Sequence, residues 1–182
     1  DRFPFIRLLQ LGGELLYRSD VDAYRKHFPD ECILTNRLSA GEAGNLCVFF
    51  VDKSTKIDSP IVPVGYPVEG KTILLLNHEG ERTGVNEAGE IAVRSRNLSS
   101  GYWKDPDLTD ARFRTDLITG ERIYLTGDLG KILPDGSMVY LGRKDREVNI
   151  RGMKVDLAEL EATLVETGEI AGRRYEPDSE NA

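Results

Sequence analysis

Apolar and polar positions change their period three times along the chain. Positions 8–11 read as a short strand closed by Gly12-Gly13. Val21, Tyr24 and Phe28 then share one helical face, with Ser19 as the expected N-cap, Asp22 three residues on and Pro29 as the stop. Positions 32–38 and 46–51 read as strands flanking the small-residue segment Ser39-Ala40-Gly41-Glu42-Ala43-Gly44. A helix set between strands is an α/β signature.

From residue 60 the texture becomes one of short strands and turns. Pro60, Pro63 and Pro67 punctuate a loop, and strands are expected over 72–77 and 90–95. Ile91 and Val93 alternate with polar neighbours, as in a half-buried strand. Asp105-Pro106 opens a short helix running to Phe113, with proline at its first position. Strands over 123–133 and 138–141 flank Pro134-Asp135-Gly136-Ser137, a hairpin turn signal. Regular spacing of such strands predicts a small, distorted β-barrel or sandwich. A third texture begins with a strand over 147–150 and a turn at Arg151-Gly152. Asp156 and Glu159 form a capping box for a helix whose face carries Leu157, Leu160, Leu164 and Val165. Gly168 is its expected C-cap, and the polar tail from Arg173 is expected to fray. The predicted class is mixed α+β. It comprises the end of an α/β subdomain (1–59), a distorted β-barrel (60–144) and the start of a small α+β subdomain (145–182). The last piece is too small to hold a core alone, so its helix either packs back on the barrel or is covered by chain that normally follows. Asp1 is not an initiator, which predicts a mature, excised or fragmentary chain.

Composition narrows the function. Of 182 residues 40% are hydrophobic and 30% charged, a balance that supports a packed core. There are 24 Lys and Arg against 31 Asp and Glu, a formal charge of −7. No basic cluster offers a footprint for nucleic acid, so an anionic ligand must be held by a few placed groups or by a metal. No apolar run approaches the ~18 residues of a membrane span, and no basic-then-apolar leader opens the chain. Cys32 and Cys47 sit in strand-like runs and read as buried thiols of a reducing, cytoplasmic compartment. With His27 and His78 as the only histidines, zinc sites and histidine-dependent triads lack material.

The hairpin at 134–137 brings the first chemistry together. A two-residue turn sets Asp128 opposite Arg143; a turn with Gly136 as a bulge slips the register and sets Asp128 opposite Gly142. In both registers Asp128 and Arg143 emerge at the same end. They make either a plain cross-strand ion pair or a ligand grip. A carboxylate accepts both protons of a vicinal diol, a guanidinium donates to the same oxygens, and Gly127 permits close approach.

Three stretches carry a resemblance. They are Gly89-Glu90-Ile91-Ala92-Val93 running to Gly101-Tyr102-Trp103; Tyr124-Leu125-Thr126-Gly127-Asp128-Leu129; and positions 142–155, from Gly142-Arg143-Lys144-Asp145 through Arg151-Gly152 to Val155. In order, spacing and letters they resemble successive core motifs of the adenylate-forming superfamily. That superfamily includes acyl-CoA synthetases, luciferases and the adenylation domains of nonribosomal peptide synthetases. The likeness is strong over 89–165 and weak over 11–44.

The resemblance implies a two-step reaction. A carboxylic acid, an amino acid or another, attacks the α-phosphate of ATP to give an acyl-adenylate and pyrophosphate. A phosphopantetheine thiol of a carrier protein, or CoA, then takes the acyl group. It implies that Asp128 holds the ribose diol with Arg143 assisting. Lys144 and Asp145 are implied as the hinge, and Arg151 and Gly152 as the loop of the thioester step. Positions 39–42 resemble a degraded form of the family's aromatic-Gly-x-Thr-Glu motif, so Glu42 inherits the Mg²⁺ role and Leu38 stands where an aromatic would cover adenine. Glu42 as a plain solvated loop carboxylate is the competing reading. The family's phosphate loop and its catalytic lysine are expected upstream and downstream of this chain, so the isolated 182 residues are expected to be nearly inactive. Two alternatives stand beside this: a non-catalytic remnant serving as an interaction or scaffolding domain, and a β-rich domain with an unrelated ligand.

Overall fold

The computed structural model describes residues 3–116, 119–144, 147–150, 153–156, 160, 163–165 and 167. It divides into two compact units, Asp1–Lys144 and Asp145–Ala182. In the first unit, β1 (Leu8–Gly12), β2 (Ile33–Ala40), β3 (Gly44–Val51) and β4 (Tyr66–Pro67) form a sheet in that order. β1 and β2 are parallel and joined through α1 (Arg18–His27), while the remaining pairs are antiparallel. The helix packs Val21 and Tyr24 against Leu34, Val51 and Val62. It begins two residues earlier than Ser19 predicts, with Tyr17 as its N-cap. Asp20, third in the helix, accepts the Tyr17 N–H at 2.8 Å, and that carboxylate fixes the start whatever side chain precedes the helix.

The second sheet contains β5 (Thr72–Leu76), β6 (Ala88–Arg94), β7 (Phe113–Thr115), β8 (Arg122–Ile132) and β9 (Met138–Arg143). A short helix, α2 (Pro106–Arg112), precedes β7. Its cap is Asp105, whose carboxylate accepts the Leu108 N–H at 3.0 Å. β8 is the spine. β6 runs along one edge, and β7 and β9 share the other.

The α+β class is as the sequence predicts, but the barrel is not. Among the described residues β5 does not pair with β7 or β9, so the sheet stays open. The outer edge of β9 instead bridges Gly65 through Met138, with Met138 N–H donating to the Gly65 carbonyl at 2.8 Å. Those hydrogen bonds tie the second sheet to the first rather than closing it on itself. Ile91, Val93, Tyr124 and Met138 complete the join by packing on Leu38, Leu46 and Cys47. Buried Asn36 holds the proline-rich connection by donating to the carbonyls of Val62 and Pro63. Cys32 and Cys47 are free and buried, and burial pushes the Cys47 thiol up to about 12.

The second unit contains an antiparallel hairpin of β10 (Glu147–Ile150) and β11 (Met153–Asp156), with Ile150 paired to Met153. The helix expected over 157–165 and the tail lie largely outside the described residues.

Candidate functional site

The site grows out of an irregularity in β8. Leu125 pairs with Ala92 and Leu129 with Glu90, so the single residue Ile91 faces Thr126, Gly127 and Asp128. A bulge absorbs the excess, with Gly127 at φ +74°. Thr126 Oγ1 donates to the Ile91 carbonyl at 2.8 Å and accepts the Asp128 N–H at 3.0 Å. Glu90 Oε1 accepts the Gly127 N–H at 3.1 Å. Three residues that a regular strand would alternate are thereby pinned in one geometry.

The opposite edge of β8 contributes the second element. β7 pairs no further than Tyr124 and β9 no nearer than Asp128, so among the described residues no strand covers positions 125–127 on that side. Arg143 fills the gap: its Nη1 donates to the Thr126 carbonyl at 3.1 Å and lies 3.3 Å from Asp128 Oδ1. Both hairpin registers anticipated from sequence occur. Around the turn Ile132 pairs with Met138, the bulged form, with Gly136 at φ +83°. A register shift between Leu129 and Gly130 then restores the other, so that Asp128 faces Arg143. Asp128 is 8% exposed and the Arg143 side chain 40%, so the pair is anchored on one side and open on the other.

Glu42 is not a solvated loop carboxylate. The Tyr102 hydroxyl donates to its Oε1 at 2.6 Å, and the Ser99 N–H donates to its carbonyl at 2.8 Å. Burial is the largest single influence on the Glu42 carboxyl and would raise its pKa. Hydrogen bonds from Tyr102, its own backbone and Tyr124, with the charge of Arg112, together outweigh it and hold the carboxyl below its usual range. The hydroxyls of Tyr102 and Tyr124 are pushed up, first by burial and then, for Tyr102, by its bond to Glu42 and, for Tyr124, by its bonds to Tyr102 and Glu42. An ionised oxygen donor of this kind suits a hard cation. Among the described residues no group of three His, Cys, Asp or Glu side chains forms a metal cage, so a cation here would rest on Glu42 and on ligand oxygens.

The sign of the Glu42 shift sets a pH dependence. A carboxyl with a lowered folded-state pKa adds stability above its ordinary value of 4.5, and that stability is lost as pH falls through the folded value. Tyr102→Phe is expected to cost about 1 kcal/mol at neutral pH, with the difference from wild type narrowing in acid. Urea denaturation at neutral and acidic pH measures it; a cost that does not change with pH contradicts the assignment.

Of the remaining expected residues, Leu38 and Lys144 are described. Leu38 is 7% exposed and packs in the core between the sheets. Lys144 is exposed, its Nζ 2.9 Å from Glu90 Oε2, so Glu90 serves both this lysine and the Gly127 amide. Asp145, Arg151 and Gly152 lie outside the described residues. Sequence reading missed Arg112, Tyr102 and Tyr124. Both tyrosines belong to the motif stretches, but only the fold joins them to Glu42.

Comparison with known proteins gives the family. A family model described as AMP-binding enzyme matches residues 1–103, and the chain belongs to that family of adenylate-forming enzymes. It is 34% identical over 174 residues to nonribosomal peptide synthetase agiA of Aspergillus flavus, covering 93% of this chain and 2% of that protein. It is 36% identical over 166 residues to tyrocidine synthase 1 of Brevibacillus parabrevis, covering 91% and 15% respectively. The solved structure of PA1221, an NRPS protein containing adenylation and PCP domains, superposes with a TM-score of 0.68 at 29% identity, covering 87% of this chain and 32% of that one. The chain thus spans a small part of the curated relatives and about a third of the PA1221 chain.

Proposed function

We propose that this chain carries the nucleotide-gripping part of an adenylation domain, one that activates an amino or other carboxylic acid with ATP as acyl-AMP and passes it to a phosphopantetheine thiol on a carrier protein or CoA. The observation that supports this reading is the convergence of Asp128 and Arg143 on the open edge of a bulge that pins Asp128 through its own backbone. Asp128 accepts the two ribose hydroxyls, and Arg143 orients the carboxylate while donating to the same oxygens. Glu42 would hold Mg²⁺ on the phosphates. When bound, that ion neutralises the charge on the transferring and leaving oxygens.

The same proposal makes Lys144 and Asp145 a hinge and Arg151-Gly152 part of the thioester step. It sets the protein in the cytoplasm, in keeping with two free thiols, and involves no nucleic acid or membrane. No helix among the described residues is long and apolar enough to cross a bilayer. Isothermal titration of the 182-residue chain with a non-hydrolysable acyl-AMP mimic is the test. Saturable heat at one site per chain is expected. Absence of binding overturns the reading and favours a non-catalytic interaction domain.

A further inference from the structure

We propose that Arg112, at the end of α2, is the residue that grips the 5′-phosphate of the adenylate. The inference rests on the reading of Asp128 as the ribose-binding group. A β-carbon on Gly127 would stand 2.7 Å from Arg112 Nη1 and 3.0 Å from Arg143 Nη2, so two guanidinium groups converge over one glycine. Like charges brought this close repel unless something negative lies between or beside them.

Arg143 has its counter-charge in Asp128, whereas among the described residues Arg112 forms no ion pair. Arg112 therefore stands over Gly127, beside the carboxylate read as holding the sugar. A sugar bound by its 2′ and 3′ hydroxyls carries its 5′-phosphate across the ring, and that phosphate is the anion two converging guanidinium groups call for. A guanidinium fork at that crossing matches two phosphate oxygens, and the missing side chain of Gly127 keeps the approach open. The site thus assigns its two arginines to different parts of the ligand, Arg143 to the sugar and Arg112 to the phosphate.

Titrating wild type, Arg112→Gln and Arg112→Lys with adenosine and with AMP separates the parts. Wild type is expected to bind AMP more tightly than adenosine. Arg112→Gln should weaken AMP on the order of tenfold or more and leave adenosine unchanged. Arg112→Lys, which keeps the charge but not the fork, should fall between them; it also carries the test if circular dichroism shows the glutamine variant unfolded. Equal weakening of both ligands, or no weakening of AMP, overturns the assignment. Wild type that binds adenosine with no preference for AMP overturns it while leaving the ribose reading intact. Wild type that binds neither ligand overturns both.

Discussion

Replacing Gly65 by alanine is expected to destabilise the first unit by about 3 kcal/mol or more. Gly65 has φ +83°, and a β-carbon there would lie 2.1 Å from the Val48 carbonyl oxygen and 2.7 Å from the Phe49 Cα. Both obstacles are backbone of β3, so no side-chain rotation relieves them. The chain must shift at the point where Gly65 and Met138 join the two sheets. Gly13→Ala supplies the control. Its φ is +87°, but nothing lies within 4 Å of the added carbon, which isolates backbone strain at about 1 kcal/mol. Urea denaturation should lower the midpoint by roughly 1–2 M for Gly65→Ala and clearly less for Gly13→Ala. Equal midpoints for the two variants would refute the packing argument.

Asp128→Ala is expected to weaken the acyl-AMP mimic by roughly 10- to 100-fold, the worth of one or two hydrogen bonds to a charged group. Its effect on stability should stay below about 1 kcal/mol. The partner Arg143 side chain is 40% exposed and can be solvated when the carboxylate is gone. Asp128→Asn keeps the shape and one good acceptor, and should lie between wild type and alanine. Titration calorimetry beside thermal denaturation separates the two effects. A variant that loses stability but binds as before would give Asp128 a structural role only.

What could be read from the sequence was mostly local. Pro134-Asp135-Gly136-Ser137 announced its hairpin because turn chemistry resides in those four residues. Even so, the two registers could not be resolved, since a shift four residues along the ladder uses both. The Thr126–Asp128 bulge was beyond reach because β6, some 35 residues earlier in sequence, creates it. Arg112 was hidden by a sufficient local explanation: a cation in the last turn of a helix suits the helix dipole. Tyr102 and Glu42 are 60 residues apart, and no periodicity links them. Leu38 shows the same limit: a motif carried over position by position gives its place in the chain, while its burial between the sheets follows only from the fold. Strand spacing likewise predicted a barrel, although the edges that would close it depend on partners the pattern does not name.

The gap in the β8 edge has a consequence for solubility. An uncovered stretch of strand invites another chain to add to it, and proteins commonly block such openings with a charged side chain. Arg143 occupies this one through the Thr126 carbonyl. The same guanidinium that would face a nucleotide therefore also guards against intermolecular strand addition, and removing it would unblock a template for self-association.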